Sequence, residues 1–372
     1  EGLAIGSDAY VAKLKEINSL YYTLPAIAGL AGATLRLPNS FLISLGGGRN
    51  VIFTTTALLL IPAIGTGIAL SDVNSSYMFF ATMALLSGFG GGNFASSMSN
   101  ISFFFPKKVQ GYSLGMNAGL GNLGVGVMQK VIPLAITVSL FGGTAGAVAT
   151  TGTGIPFEGL QNAAWVWVPL ISLATIGAFF RMNNVSTGTP SMPNTVTGVS
   201  KTLYMVILGL AAAGLGSYLL IGLPWADWGL KNGAMWIVLP IVVITTVLLM
   251  KHATPKEIKG NLKKQFSILS DKHNWIMTII YTMTFGSFIG YSMVFPKLAQ
   301  DIFVYSNPLD PEWMNPNAPN IMLWAFLGPM FGALIRPVGG IIADKVNSGA
   351  KVTMWSTIFQ ILAALAVAYF VV

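Results

Sequence analysis

Two arginines are the residues best placed to do chemistry. Arg36 stands in "GATLRLPNS" and Arg336 in "GALIRPVGG", both deep inside long apolar runs. Each follows the pattern Gly-Ala-x-aliphatic-Arg, with a proline two positions later in the first case and one in the second. Arginine keeps its charge at any working pH and presents a planar fork of N–H donors. A small planar oxyanion matches that fork. A single arginine in such a setting could instead snorkel or bond backbone carbonyls. The recurrence of the motif about 300 residues apart weakens that reading, because it marks two related halves. In transporters of that design the substrate site lies near the bilayer midplane, where the repeats meet.

Other chemistry has little to work with. The chain has no cysteine, and its two histidines, His252 and His273, share one loop. The twelve acids, Glu1, Asp8, Glu16, Asp72, Glu158, Asp227, Glu257, Asp271, Asp301, Asp310, Glu312 and Asp344, fall in loops or at the ends of apolar runs. No HExxH, Walker loop or usable Ser-His-Asp set is present. "GLGNLG" (119–124) matches a dinucleotide fingerprint, but that motif needs a preceding strand, and here it lies inside an apolar helical run. No catalytic residue, metal site or cofactor is expected, and the chain does not read as an enzyme.

The elements that must position the arginines follow from composition. The chain is 53% hydrophobic and 9% charged, with a mean hydropathy of +0.68. A soluble domain carries roughly 25% charged residues, so this is an integral membrane protein. Ten runs are long enough to span: 19–45, 51–70, 77–105, 111–141, 163–182, 203–222, 233–250, 275–298, 319–343 and 352–372. None alternates as a barrel strand would. If the first run starts outside, the inward loops hold Arg49, Lys107, Lys108, Arg181, Lys201, Lys251, Lys256, Lys259, Lys263, Lys264, Lys272, Lys345 and Lys351, against Lys13, Lys15, Lys130, Lys231 and Lys297 outside. The net charge of +8 is therefore orientation, and a nucleic-acid partner is not expected. Lys130, near the outer end of its helix, is read as snorkelling.

Two further patterns stand out. In "TPKEIKGNLKKQFSIL", Thr254, Pro255 and Glu257 form a capping-box start, and Ile258, Leu262, Phe266 and Leu269 share one face. This predicts an amphipathic helix on the inner leaflet. In "GNFASSMSNISFFFPKKVQGYSLGMNAGLGNLG" (92–124), small residues at four-residue spacing predict closely packed helices. Asn93, Asn100, Asn117 and Asn122 in that stretch need partners inside a bilayer.

That stretch resembles the nitrate signature of the nitrate/nitrite porters, the NarK-type branch of the major facilitator superfamily. "LRLPNSF", "YTMTFGSFIGYS" and "GALIRPVGGIIADK" are similar to other parts of the same family. The resemblance implies an all-α membrane protein of two pseudo-symmetric helical bundles, truncated here to about ten transmembrane helices. It implies nitrate and nitrite as partners in the lipid bilayer of the inner (plasma) membrane, a monomer, and substrate contacts from Arg36, Arg336, Phe94, Asn117, Asn122, Tyr281 and Phe285. Residues 1–183 would be an N-terminal bundle lacking its first helix, and 274–372 a truncated C-terminal bundle. Residues 184–273 would be an inserted hairpin and inward linker, the hairpin lying peripherally on lipid or on another subunit. The chain reads as a fragment, since it starts without Met and ends in an apolar run. The expected activity is nitrate/nitrite antiport by alternating access. Proton-coupled symport, an anion channel and a nitrate sensor on the same fold are the alternatives.

Overall fold

A computed structural model describes residues 8–72, 74–142, 159–222, 234–304 and 314–371. Lys231 and the acids Glu1, Glu158, Asp227, Asp310 and Glu312 lie outside them. The described residues are helical, with no strand among them. In order the helices are α1 (Asp8–Gly46), α2 (Gly48–Leu58), α3 (Leu60–Ser71), α4 (Tyr77–Phe104), α5 (Gln110–Val138), α6 (Asn162–Trp165), α7 (Trp167–Arg181), α8 (Thr195–Gly222), α9 (Ala234–His252), α10 (Lys256–Gln265), α11 (Lys272–Ala299), α12 (Ile321–Trp324), α13 (Leu327–Val346) and α14 (Gly349–Val371).

Each of the ten expected runs is helical. Three are broken into a pair, at Leu59 between α2 and α3, at Val166 between α6 and α7, and at residues 325–326 between α12 and α13. Eight of the spans are long and apolar enough to cross a membrane. The other two, α4 and α13, are full-length helices whose hydropathy is lowered by the Gly, Ser and Asn of residues 92–100 and by Arg336, Asp344 and Lys345.

The described chain forms two compact units. The first comprises Glu1–Ser99, Lys130–Ser267 and Ala299–Pro319, and the second Asn100–Gln129, Ile268–Leu298 and Asn320–Val372. The first is built on a cluster of Leu35, Leu42, Ile43, Leu45, Val51, Phe89, Met205, Val206, Met250, Ile258 and Leu262, all buried. Bilayer lipid is as apolar as leucine, so this packing gains mainly from close dispersion contact rather than from escaping water.

That cluster corrects one expectation and shows what another element packs on. One face of the hairpin α8–α9 packs on α1, while Ile207, Trp236 and Ile244 on its other faces are exposed. Met205 and Val206 of α8 are buried in the same cluster as Leu35 and Leu42 of α1. Gly209 sets its backbone against Leu35 and Pro38. A second cluster joins Leu30 to Val238 and Val242 of α9. The inward turn after α1 is tied to the same insertion: the Arg49 Nη2 donates to Thr195 Oγ1 at 2.7 Å, and its backbone N–H to Asn184 Oδ1 at 2.9 Å.

The amphipathic helix α10 is not on the leaflet by its apolar side. Ile258 and Leu262 are 4% and 1% exposed, and they pack inside the protein with Leu42 and Leu45. Phe266 tilts against Phe41 with ring centroids 5.2 Å apart. Its start differs as well. Pro255 is the N-cap, Thr254 Oγ1 donates back to the Met250 carbonyl at 2.7 Å, and Glu257 pairs with Lys201 at 2.5 Å.

Candidate substrate site

In the first unit, Arg36 lies half-buried on α1, facing α4. The two helices approach so closely that a Cβ on Gly91 would stand 2.6 Å from the Cα of Gly32. No side chain fits there, which is why the pattern supplies glycine on both helices. The approach brings the guanidinium to α4: Arg36 Nε donates to the Gly91 carbonyl at 3.3 Å, and Cζ lies 5.0 Å from the centre of the Phe94 ring. A cation over an aromatic face is attracted by the ring quadrupole. One turn on, Asn39 Oδ1 accepts from Ser96 Oγ at 2.8 Å, and its amide donates to the Leu35 carbonyl at 2.8 Å. This buried link locks α1 to α4 beside the arginine.

In the second unit, α13 carries Arg336 and α11 carries the rings. Arg336 Cζ lies 5.3 Å from the centre of Phe285 and 4.8 Å from that of Phe288. Tyr281 and Phe285, one turn apart, stack at 4.9 Å with planes only 6° apart. Helix α5 runs against α13 through bare backbone. A Cβ at Gly115 would meet the Arg336 carbonyl oxygen at 2.8 Å, and one at Gly119 that of Ala333 at 2.8 Å. At the inner end, Asp344 closes the pair by accepting the Gly111 and Tyr112 N–H groups at 2.9 and 2.8 Å. A carboxylate at a helix N-terminus satisfies orphan donors and complements the dipole.

The expected residues are thus brought together in two groups, Arg36 with Phe94 and Arg336 with Phe285 and Tyr281. The amides take more local roles. Asn122 is buried and donates to the Ala118 carbonyl of its own helix at 2.7 Å. Asn93 donates to Thr56 Oγ1 at 3.3 Å. Asn100 is buried, and Asn117 is half-buried on α5. Two participants escaped the sequence reading. Phe288, the ring nearer Arg336, was signalled only by its place three residues after Phe285. The Asp344 cap had no local signal, since its partners are more than two hundred residues away.

Known proteins resemble the chain along nearly its whole length. It is 35% identical over 341 residues to the nitrate/nitrite transporter NarU of Escherichia coli (strain K12), covering 91% of this chain and 55% of that protein. It is 34% identical over 343 residues to NarU of Salmonella typhimurium, covering 92% and 55%. It is 33% identical over 350 residues to the probable nitrate/nitrite antiporter NarK2 of Thermus thermophilus, covering 93% and 60%. The chain is related to the NarK-type nitrate/nitrite porters along that length. It spans a little over half the length of these relatives. No family model matches it. Among the described residues the chain is all-α, with eight helices long and apolar enough to cross a membrane, and it is a multi-pass membrane protein. Its dinucleotide-like "GLGNLG" lies within helix α5, so no nucleotide-binding turn forms there.

Proposed function

We propose that this protein moves nitrate and nitrite across the inner membrane as a secondary transporter and not as an enzyme. One observation carries the reading: each copy of the Gly-Ala-x-aliphatic-Arg repeat lays its arginine over a phenylalanine ring, Arg36 on Phe94 and Arg336 on Phe285 and Phe288. A guanidinium lying on a ring keeps the N–H fork in its own plane, and a planar oxyanion presents two acceptors to that fork. The rings cover one side of each guanidinium, which favours in-plane approach by a flat anion over a tetrahedral one. In this reading Arg36, Arg336, Phe94, Tyr281 and Phe285 contact the substrate, and Asn117 and Asn122 line its surroundings. Residues 1–183 and 274–372 supply the two bundles, with 184–273 inserted between them.

Antiport is the mode that best fits the chemistry. Asp72, Asp271 and Asp344 sit at helix ends or in turns, Glu16 is exposed on α1 ahead of the apolar span that begins at Tyr22, and both histidines are exposed. Arginine does not deprotonate. An unpaired arginine charge disfavours a water-excluded state, and a bound anion relieves that cost. The return step then also needs an anion.

The test uses liposomes of the full-length protein, loaded with nitrite or left empty, with nitrate outside and a pH dye inside. Uptake only into nitrite-loaded vesicles, without pH change, is expected. Uptake into empty vesicles with proportional proton movement would replace antiport by symport. Non-saturating flux without trans-stimulation would make the protein a channel, and tight binding without flux a sensor.

A further inference from the structure

Helix α10 has its apolar side already covered. Ile258 and Leu262 are buried in the core cluster, Phe266 packs on Phe41, and Ser44 near the end of α1 is within hydrogen-bond reach of Asn261 and Gln265. The helix is held firmly at its start by Thr254 on Met250, by the Tyr204 hydroxyl donating to the Ala253 carbonyl at 2.6 Å, and by the Lys201–Glu257 pair at 2.5 Å. The opposite face, around exposed Gly260, presents Lys256, Lys259 and Lys263, all exposed, with Lys251 and His252 at the adjoining end of α9. Glu257 is the acid in this stretch, and Lys201 already pairs with it.

From this we infer that the lysine face of α10 binds anionic phospholipid headgroups of the inner leaflet. The argument is one of depth and charge. The helix packs beside Phe41–Leu45, the last turn of a membrane-spanning helix on the side that the lysine distribution turns inward. Its free face therefore stands at headgroup level, where phosphates are present and an acidic protein would have to displace lipid. The apolar side is spent, so attachment is by charge alone and not by insertion. Because α10 is pinned to the first unit, headgroup binding anchors that unit rather than a loose linker.

The test measures the association of spin-labelled phosphatidylglycerol relative to phosphatidylcholine with the full-length protein in mixed bilayers. Each lysine near an anionic surface contributes up to about fivefold in binding. Wild type is expected to prefer phosphatidylglycerol at about 0.05 M salt and to lose most of that preference at about 0.5 M, where screening is short-ranged. K256Q/K259Q/K263Q should lose at least half of the low-salt preference, and K256R/K259R/K263R should keep it. Removing three inward charges elsewhere, K107Q/K108Q/K351Q, should have the smaller effect. Equal losses in the two Gln triples would reduce the effect to net charge and overturn a local site. An unchanged preference in K256Q/K259Q/K263Q would overturn it as well. If that variant keeps its lipid preference but alone loses binding of a polyglutamate probe in detergent, the surface belongs to an acidic protein partner instead.

Discussion

The two arginines share a sequence motif and differ in how they are held. Arg36 rests on one ring, Phe94, and is also fixed by backbone: its Nε is given to the Gly91 carbonyl, the Asn39–Ser96 link stands one turn away, and the hairpin α8 packs on Leu35 behind it. Arg336 is fixed by rings: Phe285 and Phe288 lie under its guanidinium, and Tyr281 stacks on Phe285. The repeat thus keeps the charge over a ring in both copies and differs in the further contact that holds it, a carbonyl for Arg36 and a second ring for Arg336. A backbone-held guanidinium is restricted in direction. One resting on rings can slide while keeping most of its attraction, because that attraction varies slowly across the ring face.

The most severe way to probe this contrast is to remove the fork while keeping the charge. Arg36→Lys and Arg336→Lys should each nearly abolish nitrate binding by the full-length protein, since an ammonium cannot make the bidentate contact. Loss of a charge-assisted hydrogen bond costs about 1.5–3 kcal/mol. Isothermal titration on correctly inserted protein measures it, and near-wild-type affinity in either variant would remove that arginine from the site.

Backbone holding predicts that Gly91→Ala is costly, because its methyl would stand 2.6 Å from Gly32 Cα. Overpacking of this kind costs about 1–3 kcal/mol, so a lower melting temperature and weaker binding are expected together. Gly286→Ala on α11, with nothing within 4 Å of its Cβ position, should leave melting unchanged. A similar loss in both would mean that the close approach of α1 and α4 is not what holds Arg36.

Ring holding predicts a smaller and graded response in the other unit. Phe285→Leu and Phe288→Leu should each weaken nitrate binding by about 0.5–2 kcal/mol, the worth of a cation over a ring, and the double variant by more than either. Equilibrium binding of the three variants measures this, and strict equality of single and double variants would show that only one ring matters. The mildest change is Asp344→Asn. An amide has one acceptor oxygen for the two N–H groups of Gly111 and Tyr112 and no charge for the helix end, a loss of about 0.3–1 kcal/mol. A small fall in melting temperature with unchanged nitrate affinity is expected, and altered affinity would connect the cap to the site.

Much of this was legible in advance. The run expected at 77–105 is Tyr77–Phe104, and that expected at 233–250 is Ala234–His252, because length and hydropathy alone define a span. Arg36 meets Phe94 and Tyr281 meets Phe285, residues that the family resemblance named as substrate contacts. What was not legible was which neighbour covers an apolar face. Met205 and Ile258 have the composition of lipid-facing or leaflet-facing residues, yet both are buried in protein. Lipid and protein interior are equally apolar, so hydropathy cannot distinguish them. Only the small residues that permit close approach, such as Gly209 against Pro38, carry that information.

Each arginine also has a proline as its near neighbour inside an unbroken helix, Pro38 in α1 and Pro337 in α13. Proline has no N–H to return to the carbonyl four residues back, here Thr34 and Ala333, so each helix lacks a rung of its ladder beside the charge. A rod with a missing rung is softer there than where its ladder is intact. The guanidinium is therefore mounted at a joint, and a few degrees of flexure at that joint swing its donors sideways with little stretching of the remaining bonds. An anion pulling on the fork acts on a compliant point of the rod, and the far end of the helix moves as the long arm of a lever.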